Sequence, residues 1–470
     1  MRRWHWMTTL ILATLTVCGC IPRRLFWSPD GQYAAIIAED GLRMCDTSGK
    51  LSEVVAQDVR MAAWFPDSRR LVATRTTKAA NWTEIQAFLS PEQREALPRL
   101  ADPLREEILA HIGEWDKFKP KVAATISDGE FAALLLYVRD QRNEGLPEKF
   151  GDQWKDIATM AIDTHLLEMY EANGLKVTPG QVLHRTVDAI DELRVSPDGK
   201  IIACVQKIST HGNSILYRLS VISAAGGEWR TLAEPVALFP DWSTDSRSLV
   251  YATTRTRPAE GSDSLQFGAV VLQRVRDEPG EILEAFAAPE ELLGLVFGPQ
   301  TKIRCLPDGR IIFSAREITL PATSKDIPRY ASLFSVDLGR QPTVNRLVPR
   351  DAEVVLPGGL ANGYFELSPD STRIAVSNDV TSEGNQTTVS ILNLLTGEVQ
   401  SVIAQQGRLK SIPAWRTARE LSLIVPEKSA WGSAEKYELV LWEGPDQVRC
   451  ISREWPDIFK QKNADSHPDQ

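Results

Sequence analysis

The sequence predicts an all-β protein: a seven-bladed β-propeller, with six blades as the alternative, that carries an α-helical insertion in its second blade. Two observations lead to this prediction. A short corner motif recurs along the chain, and most copies are followed by further alternating strands. Units of four antiparallel strands at intervals of roughly 37 to 63 residues are typical of propeller blades. One interval is much longer and has a helical pattern, which marks the insertion.

The corner motif is a large apolar residue followed by Ser-Pro-Asp-Gly or a close variant. Proline pre-sets the first central position of a type I turn, Asp accepts backbone hydrogen bonds, and Gly supplies a positive φ. The motif therefore predicts a hairpin corner, and we assign a structural role, not catalysis, to its aspartates. These are Asp30, Asp67, Asp198, Asp245, Asp308 and Asp370, and a degenerate seventh copy lies at 415–417.

Three copies of the motif have Ser in place of Gly, namely Ser68, Ser246 and Ser371. A non-glycine residue at positive φ costs about 1 kcal/mol, so these corners should be strained or use a different turn, and we expect them to be less regular. The large residue before each corner ends one strand and can pack on a neighbouring unit. Four of these residues are tryptophans that we interpret as core anchors, not as ligand-stacking residues: Trp27, Trp64, Trp242 and Trp415.

The first residues have the pattern of a secretory leader. Two arginines precede the apolar run 7–17, which is too short to span a bilayer comfortably. The residues Val17-Cys18-Gly19-Cys20 resemble the lipobox of bacterial lipoproteins, although Val17 stands where Leu is usual. The resemblance implies a signal peptide over 1–19, lipid attachment at Cys20 and, because Ile21 is not acidic, sorting to the outer membrane facing the periplasm. The alternative is an ordinary secretory peptide with a chance cysteine.

The insertion is predicted over 78–173, between the propeller segments 20–77 and 174–456. Ser90 with Gln93 and Ser127 with Glu130 form capping boxes, Asp102-Pro103 starts a further helix, and the apolar spacing over 154–170 predicts a fourth that stops at Gly174. The segment 176–183 then predicts a hairpin, which places the insertion between the second and third strands of its blade. The helices could form a small bundle or lie across the propeller face. Residues 457–470 are predicted to be a disordered tail.

Composition excludes several classes of function. The net charge is −9, and 82–172 hold 10 Lys and Arg against 18 Asp and Glu, so no basic stripe favours nucleic acid. The acidic insertion either attracts a basic partner or is simply well solvated. The six histidines have no zinc-helix spacing, and His165 is interpreted as a core residue. We therefore predict no metal and no cofactor.

Four cysteines remain after the predicted cleavage: Cys45, Cys204, Cys305 and Cys450. They are too few and too scattered for a disulfide framework, so most should be small buried apolar residues. A bridge between Cys45 and Cys450 is conceivable, because the first and last units should touch in a closed ring.

The Trp-Ser-Pro-Asp-Gly corners resemble those of the TolB-type, WD40-like β-propellers of bacterial envelopes. The resemblance covers 22–77 and 174–455 and omits the insertion. It implies a ring with ligand or protein contacts on its faces and rim, often without catalysis. Because the predicted propeller starts almost directly after Cys20, we expect no counterpart of the separate α/β domain that precedes the TolB propeller, and a Tol-Pal role does not carry over.

These observations favour a lipid-anchored envelope propeller that acts as a non-catalytic recognition platform for an unknown envelope protein or ligand. The alternative is a hydrolase or sugar-active enzyme with carboxylates converging at the central channel. A structural spacer without a specific ligand is a third possibility. A peptidase of the prolyl oligopeptidase type is excluded, because no G-x-S-x-G elbow occurs.

Overall fold

The structure, a computed structural model, describes twelve stretches of the chain. They are residues 22–110, 126–211, 214–259, 262–275, 282–284, 293–319, 331–337, 343–347, 364–380, 386–406, 409–427 and 436–459. The predicted signal peptide and Cys20 lie outside the described residues. No helix within the described stretches is both long enough and apolar enough to cross a membrane.

Seven antiparallel sheets form the seven blades of a β-propeller, which confirms the predicted fold class and the larger blade number. Blade 1 contains β1 Leu25–Trp27, β2 Tyr33–Ala38 and β3 Gly41–Asp46. Blade 2 contains β4 Val59–Trp64, β5 Arg70–Ala79, β6 Ile162–Asn173 and β7 Lys176–Thr186. Blade 3 contains β8 Ala189–Val195, β9 Ile201–His211, β10 Ser214–Ser223 and β11 Arg230–Val236. Blade 4 contains β12 Asp241–Trp242, β13 Ser248–Ala259, β14 Ser262–Arg274 and β15 Ile282–Glu284.

Blade 5 differs from the others because its innermost strand is in two pieces. Both β16 Leu293–Val296 and β17 Ile303–Cys305 pair with β18 Ile311–Thr319, which is followed by β19 Ser332–Asp337 and β20 Thr343–Arg346. Blade 6 contains β21 Phe365–Leu367, β22 Arg373–Val380, β23 Gln386–Asn393 and β24 Val399–Gln406. Blade 7 contains β25 Ala414–Trp415, β26 Leu421–Pro426, β27 Tyr437–Gly444 and β28 Gln447–Cys450.

Among the described strands, none of the first blade pairs with the last blade where the ring closes. Blade 1 is built from the start of the chain and blade 7 from its end, and side chains join them. The indole N–H of Trp455 donates to the carbonyl of Gly49 (2.6 Å), and the backbone N–H of Arg24 donates to Ser411 Oγ (3.0 Å). The cluster between these blades includes Ile458 and Phe459, both buried. The predicted disordered tail is therefore wrong for 457–459, because those residues cover apolar surface where the ring closes. Residues 460–470 lie outside the described part.

The corners form as predicted and are more regular than expected. Ser68, Ser246 and Ser371 adopt φ values of 55°, 61° and 59°, and each makes the same turn hydrogen bond as the glycine corners. The expected backbone strain is present, but the expected irregularity is not. Two of the serines also bridge blades: Ser68 Oγ accepts the N–H of Asp30 (3.1 Å), and Ser246 Oγ accepts the N–H of Asp198 (3.0 Å). A hydroxyl at this position thus joins the corners of adjacent blades.

The four anchor tryptophans join neighbouring blades through their indole N–H groups. Trp64 donates to the carbonyl of Phe26 (2.9 Å), Trp242 to that of Arg194 (3.0 Å), and Trp415 to that of Glu366 (2.9 Å). Each acceptor belongs to the innermost strand of the preceding blade. Trp27 donates to Ser422 Oγ (2.8 Å), which itself donates to the carbonyl of Ala414 in blade 7. The predicted role as core anchors is confirmed.

The insertion lies between β5 and β6, the second and third strands of blade 2, as predicted. It contains α1 Trp82–Ile85, a 3₁₀ turn Gln86–Phe88, α2 Pro91–Ala110, α3 Asp128–Gln141, α4 Leu146–Phe150 and α5 Gln153–Ala158. The capping box at Ser127 is present, and Ser90 and Gln93 cap α2 reciprocally. Asp102-Pro103 starts no helix, because α2 continues through it.

The predicted fourth helix over 154–170 is wrong, and the predicted insertion boundary at 173 falls after a propeller strand. Helix α5 ends at Ala158, and β6 pairs with β5 on one side and β7 on the other. Strand β6 is buried over most of its first half, so apolar residues occupy both of its faces and no alternation is visible. Its apolar spacing matched a helix by coincidence. His165 is indeed buried, but on this strand.

The insertion helices pack on each other and also on the propeller. Their apolar cluster includes Leu97, Phe131 and Tyr137 from the helices together with Ala79, Ile162 and Val187 from blade 2 and the link to blade 3. Both arrangements left open by the sequence therefore occur together.

Candidate functional site

The corner aspartates serve their own turns. Asp30 Oδ1 accepts the Ser28 hydroxyl (2.6 Å) and the N–H of Gln32 (3.1 Å), and Asp370 Oδ1 accepts the Ser368 hydroxyl (2.6 Å). The Ser243 hydroxyl and the N–H of Arg247 hold the pKa of Asp245 below its usual value. These carboxylates accept hydrogen bonds within their own turns, one turn in each blade, so they do not converge on a shared acidic site.

Within the described stretches, the cysteines and histidines build no metal or redox centre. Cys45 and Cys450 are free thiols, so the conceivable bridge between them is not formed. Burial raises the pKa of the Cys45 thiol to about 12, which makes it unreactive. Burial lowers the pKa of His165 to about 4, so this residue is a neutral core histidine. No group of three or more His, Cys, Asp or Glu within the described stretches could hold a metal ion.

A cavity lies where the insertion meets blades 2 and 3, and we call it the junction pocket. Its volume is about 570 Å³, which falls within the range of small-molecule sites. The insertion contributes residues 87–90 with Glu92 and Gln93, and the propeller contributes residues from β7, β9, β10 and β11 together with Trp229 and Asp188. The pocket exists only because the helices dock on the propeller.

Two aromatic rings form part of the propeller side of this pocket. His184 and Trp229 lie face to face, with ring centroids 3.9 Å apart and an interplanar angle of 9°. Burial lowers the pKa of His184 to about 4, so the imidazole is neutral at physiological pH. The pair therefore contributes an uncharged aromatic surface to the lining of the pocket.

A buried carboxyl joins the insertion to the propeller at the floor of the junction pocket. Asp188 is 2% exposed, and Ser127, the N-cap of α3, donates its hydroxyl to Asp188 Oδ1 (2.5 Å). Nη1 of Arg218, on β10, lies 3.6 Å from Asp188 Oδ2. Burial raises the pKa of Asp188 to about 7, since the Ser127 hydrogen bond and Arg218 only partly offset desolvation and the nearby Glu130. Such a shift in a pocket marks a candidate functional residue.

The polar groups around this carboxyl are held in place by further hydrogen bonds. Gln206 Nε2 donates to Thr186 Oγ1 (3.1 Å), and the Ser220 hydroxyl donates to Gln206 Oε1 (3.4 Å). Arg218 Nε donates to Glu234 Oε2 (2.7 Å). These groups present fixed donors and acceptors, which lowers the entropic cost of binding a polar molecule.

A second group of charged residues lies on the propeller axis, and we call it the axial cluster. The position immediately before the anchor residue is charged in four successive blades, with alternating sign. These residues are Arg194, Asp241, Arg304 and Glu366, and the cluster also includes Arg23, Glu192 and Lys302.

Contacts between distant blades place this cluster at the axis. Glu366 of blade 6 forms an ion pair with the fully buried Lys302 of blade 5, and its Oε2 lies 3.7 Å from Nη2 of both Arg304 and Arg23. Arg23 precedes β1, and blades 1 and 6 are separated by blade 7. Side chains of such blades approach each other only at the centre of the ring. Glu192 and Arg194 of blade 3 add a further ion pair at 2.8 Å.

The pKa of Glu366 is lowered, whereas a general acid that acts near neutral pH needs a raised pKa. Burial raises the pKa of Glu366, but Arg23, Lys302 and Arg304 outweigh this effect and hold the pKa below its ordinary value. The group is therefore a paired anion throughout the physiological range. The expected alternative of a channel hydrolase requires carboxylates that converge as proton donors and acceptors. The axial cluster instead combines four cations with three carboxylates.

Neither site was identified from the sequence. The axial cluster had a visible signal, since charged residues stand at one repeat position in blades 3 to 6 where blades 1, 2 and 7 have Phe26, Ala63 and Ala414. The junction pocket had almost no signal in the sequence. The Ser127 capping box was recognised, but nothing in the sequence connects it to Asp188, 61 positions later.

Sequence comparisons identify no relatives. No established protein family matches this chain, and no curated protein sequence does so either. Among solved structures, TolB from Acinetobacter baumannii is 16% identical with a TM-score of 0.36, covering 59% of this chain and 56% of its own. The tricorn protease is 9% identical with a TM-score of 0.42, and 92% of this chain matches 35% of that one. An oligogalacturonate lyase from Vibrio parahaemolyticus is 11% identical with a TM-score of 0.39, and the match covers 78% of this chain and 76% of the lyase chain. The fold assignment rests on the seven sheets described above.

Proposed function

We propose that this protein is a lipid-anchored cell-envelope β-propeller that acts as a non-catalytic recognition platform. The lipid would be attached to Cys20 and would hold the propeller at the outer membrane, facing the periplasm, where it meets an envelope protein or ligand. The observation that carries the recognition role is the junction pocket, because two parts of the chain build it jointly.

The docking of the insertion supports a fixed binding surface. Buried contacts hold the helices against blades 2 and 3, and Gln93 of α2 donates to Glu130 of α3 (2.8 Å), which links two helices at the pocket. A propeller without the insertion would have no such concave wall. An insertion that served only as solvated decoration would not need a buried carboxyl such as Asp188 at its base.

The axial cluster supports the non-catalytic part of the proposal. Glu366 is paired with Lys302 and is ionised, Glu192 is paired with Arg194, and Asp241 accepts the backbone N–H of Cys305. Propellers that use the channel for hydrolysis need a free acid or base there. The paired charges are instead suited to holding the inner ends of the blades together.

Site-specific photo-crosslinking in bacterial cells tests the platform. A photoreactive amino acid at Val182, which is 37% exposed and lines the pocket on β7, should capture a specific envelope component. The matched control is Val448, which is 52% exposed on β28, the outermost strand of blade 7. Identical products from both positions, or none from Val182, would contradict recognition at the junction pocket.

A labelling experiment tests the anchor. Cells grown with radiolabelled palmitate should label the intact protein, and Cys20→Ser should abolish the label and release the protein from the membrane fraction. Fractionation should place the labelled protein in the outer membrane. Label that persists in Cys20→Ser, or that is absent from the intact protein, would refute lipid attachment at this residue.

A further inference from the structure

The junction pocket has balanced charge. Arg185 and Arg218 contribute two positive charges, Glu92 contributes one negative charge, and Asp188, whose pKa is raised to about 7, is only partly ionised at neutral pH. Glu234 pairs with Arg218 at 2.7 Å and offsets the charge of this guanidinium, which can still donate hydrogen bonds to a ligand. A ligand with a net charge would meet no opposite excess here, and an uncharged ligand would lose nothing. The balance therefore favours a neutral molecule.

The pocket also has an aromatic wall with polar edges. His184 and Trp229 lie parallel, and among the described residues neither ring donates or accepts a hydrogen bond. The imidazole and indole nitrogens are therefore available to a ligand. A flat apolar face with donors along its edge suits a molecule that is itself apolar on one face and polar around its rim.

The remaining polar groups are planar and fixed. The Gln206 amide is held by Thr186 and Ser220, and the Arg218 guanidinium is held by Glu234. Planar amide and guanidinium groups match pairs of adjacent hydroxyls, because each presents two hydrogen-bonding atoms in one plane. Fixed groups of this kind favour a ligand with several hydroxyls over a purely apolar one.

From these three properties we infer that the junction pocket binds a neutral saccharide. One face of a sugar ring carries C–H groups that pack on an aromatic wall, and its rim carries hydroxyls for the amide and guanidinium. A volume of about 570 Å³ accommodates a small-molecule ligand of this kind. The inference rests on the proposed function only in taking this pocket as the recognition site.

Calorimetric titration of the full chain tests the inference. The probes are maltose, cellobiose and N,N′-diacetylchitobiose, with a uronic-acid disaccharide as the charged comparison. We expect saturable binding of at least one neutral probe. No detectable binding of any neutral probe at about 10 mM, a concentration that would reveal a dissociation constant in the millimolar range, would overturn the inference. So would binding of the charged disaccharide alone.

Two variants locate the binding. Trp229→Ala should weaken it at least tenfold, and Val182→Trp should block it by filling the mouth of the pocket from an exposed strand position. Val448→Trp, the same change at an exposed position on blade 7, should leave it unchanged and controls for any effect on folding. Binding that survives Val182→Trp lies elsewhere and refutes the assignment. If all sugars fail while crosslinking at Val182 still captures a specific partner, the saccharide inference falls and the platform stands.

Discussion

The stability of the ring should depend strongly on one buried carboxylate. Glu366 is 6% exposed and contacts Lys302, which is fully buried, and it also lies close to Arg23 and Arg304. Glu366→Gln would preserve the shape of the side chain and remove its charge. The change would leave Lys302, Arg23 and Arg304 without the negative charge that now lies beside them.

The expected cost follows from the burial of Lys302. Removing one partner of a buried ion pair typically destabilises a protein by about 3 to 5 kcal/mol, because the remaining charge is desolvated and uncompensated. Adding Lys302→Met to Glu366→Gln should therefore restore part of the loss, with a coupling of about 2 kcal/mol. The matched control is Glu95→Gln, which removes a pair with Arg99 whose side chains are 74% and 78% exposed. That change should cost less than about 1 kcal/mol.

Urea unfolding monitored by tryptophan fluorescence measures these differences. The pKa of Glu366 is lowered in the folded protein, so its contribution is complete above its ordinary value of 4.5 and is lost as the pH falls. The stability difference between the intact protein and Glu366→Gln should accordingly be largest near pH 7 and narrow below about pH 4.5. A cost below about 1 kcal/mol, or a difference that does not change with pH, would refute the ion-pair reasoning.

Three further predictions follow from other parts of the structure. Asp188, whose pKa is raised to about 7 from 3.8, keeps its proton on folding, so stability should fall between pH 4 and 7 by up to about 4 kcal/mol. Asp188→Asn should remove that part of the decline in urea titrations at several pH values, and an unchanged slope would contradict the assignment. Ser371→Gly should raise the unfolding midpoint by relieving about 1 kcal/mol of strain. Ser68→Gly should gain less, because it also loses the bond from Asp30, and equal gains would argue against that bridge. Trp64→Phe should cost about 1 kcal/mol through loss of the indole hydrogen bond to blade 1, measured against the same change at the half-buried Trp154, which should cost less.

The corner motif carried most of the correct predictions because its information is local. A turn of four residues is fixed by the φ that proline imposes, the acceptor that Asp supplies and the positive φ that Gly permits. Gly31 and Gly199 have the φ values this reasoning requires, 66° and 69°. The anchor tryptophans followed from the same repeat, since a large residue at one position of every unit must meet the neighbouring unit.

Local patterns failed where pairing with distant residues decided the outcome. Strand β6 has the apolar spacing of a helix, yet its backbone pairs with β5 and β7, and β5 lies on the other side of the insertion. A strand buried on both faces lacks the alternation that identifies a strand. The end of the described chain failed in the same way, because Phe459 is buried only by contacts with the first and last blades.

By itself the sequence determined the kind of unit and the interruption of the second one, because these depend on short-range turn chemistry and on repetition; it favoured seven units, and the structure decided between seven and six. The tertiary structure alone decided which side chains meet. Arg23 and Glu366 are 343 positions apart and lie 3.7 Å from each other because the ring brings its inner strands to one axis. Ser127 reaches Asp188 because the helices dock on blades 2 and 3. Both candidate sites are products of closure and docking, which no local pattern records.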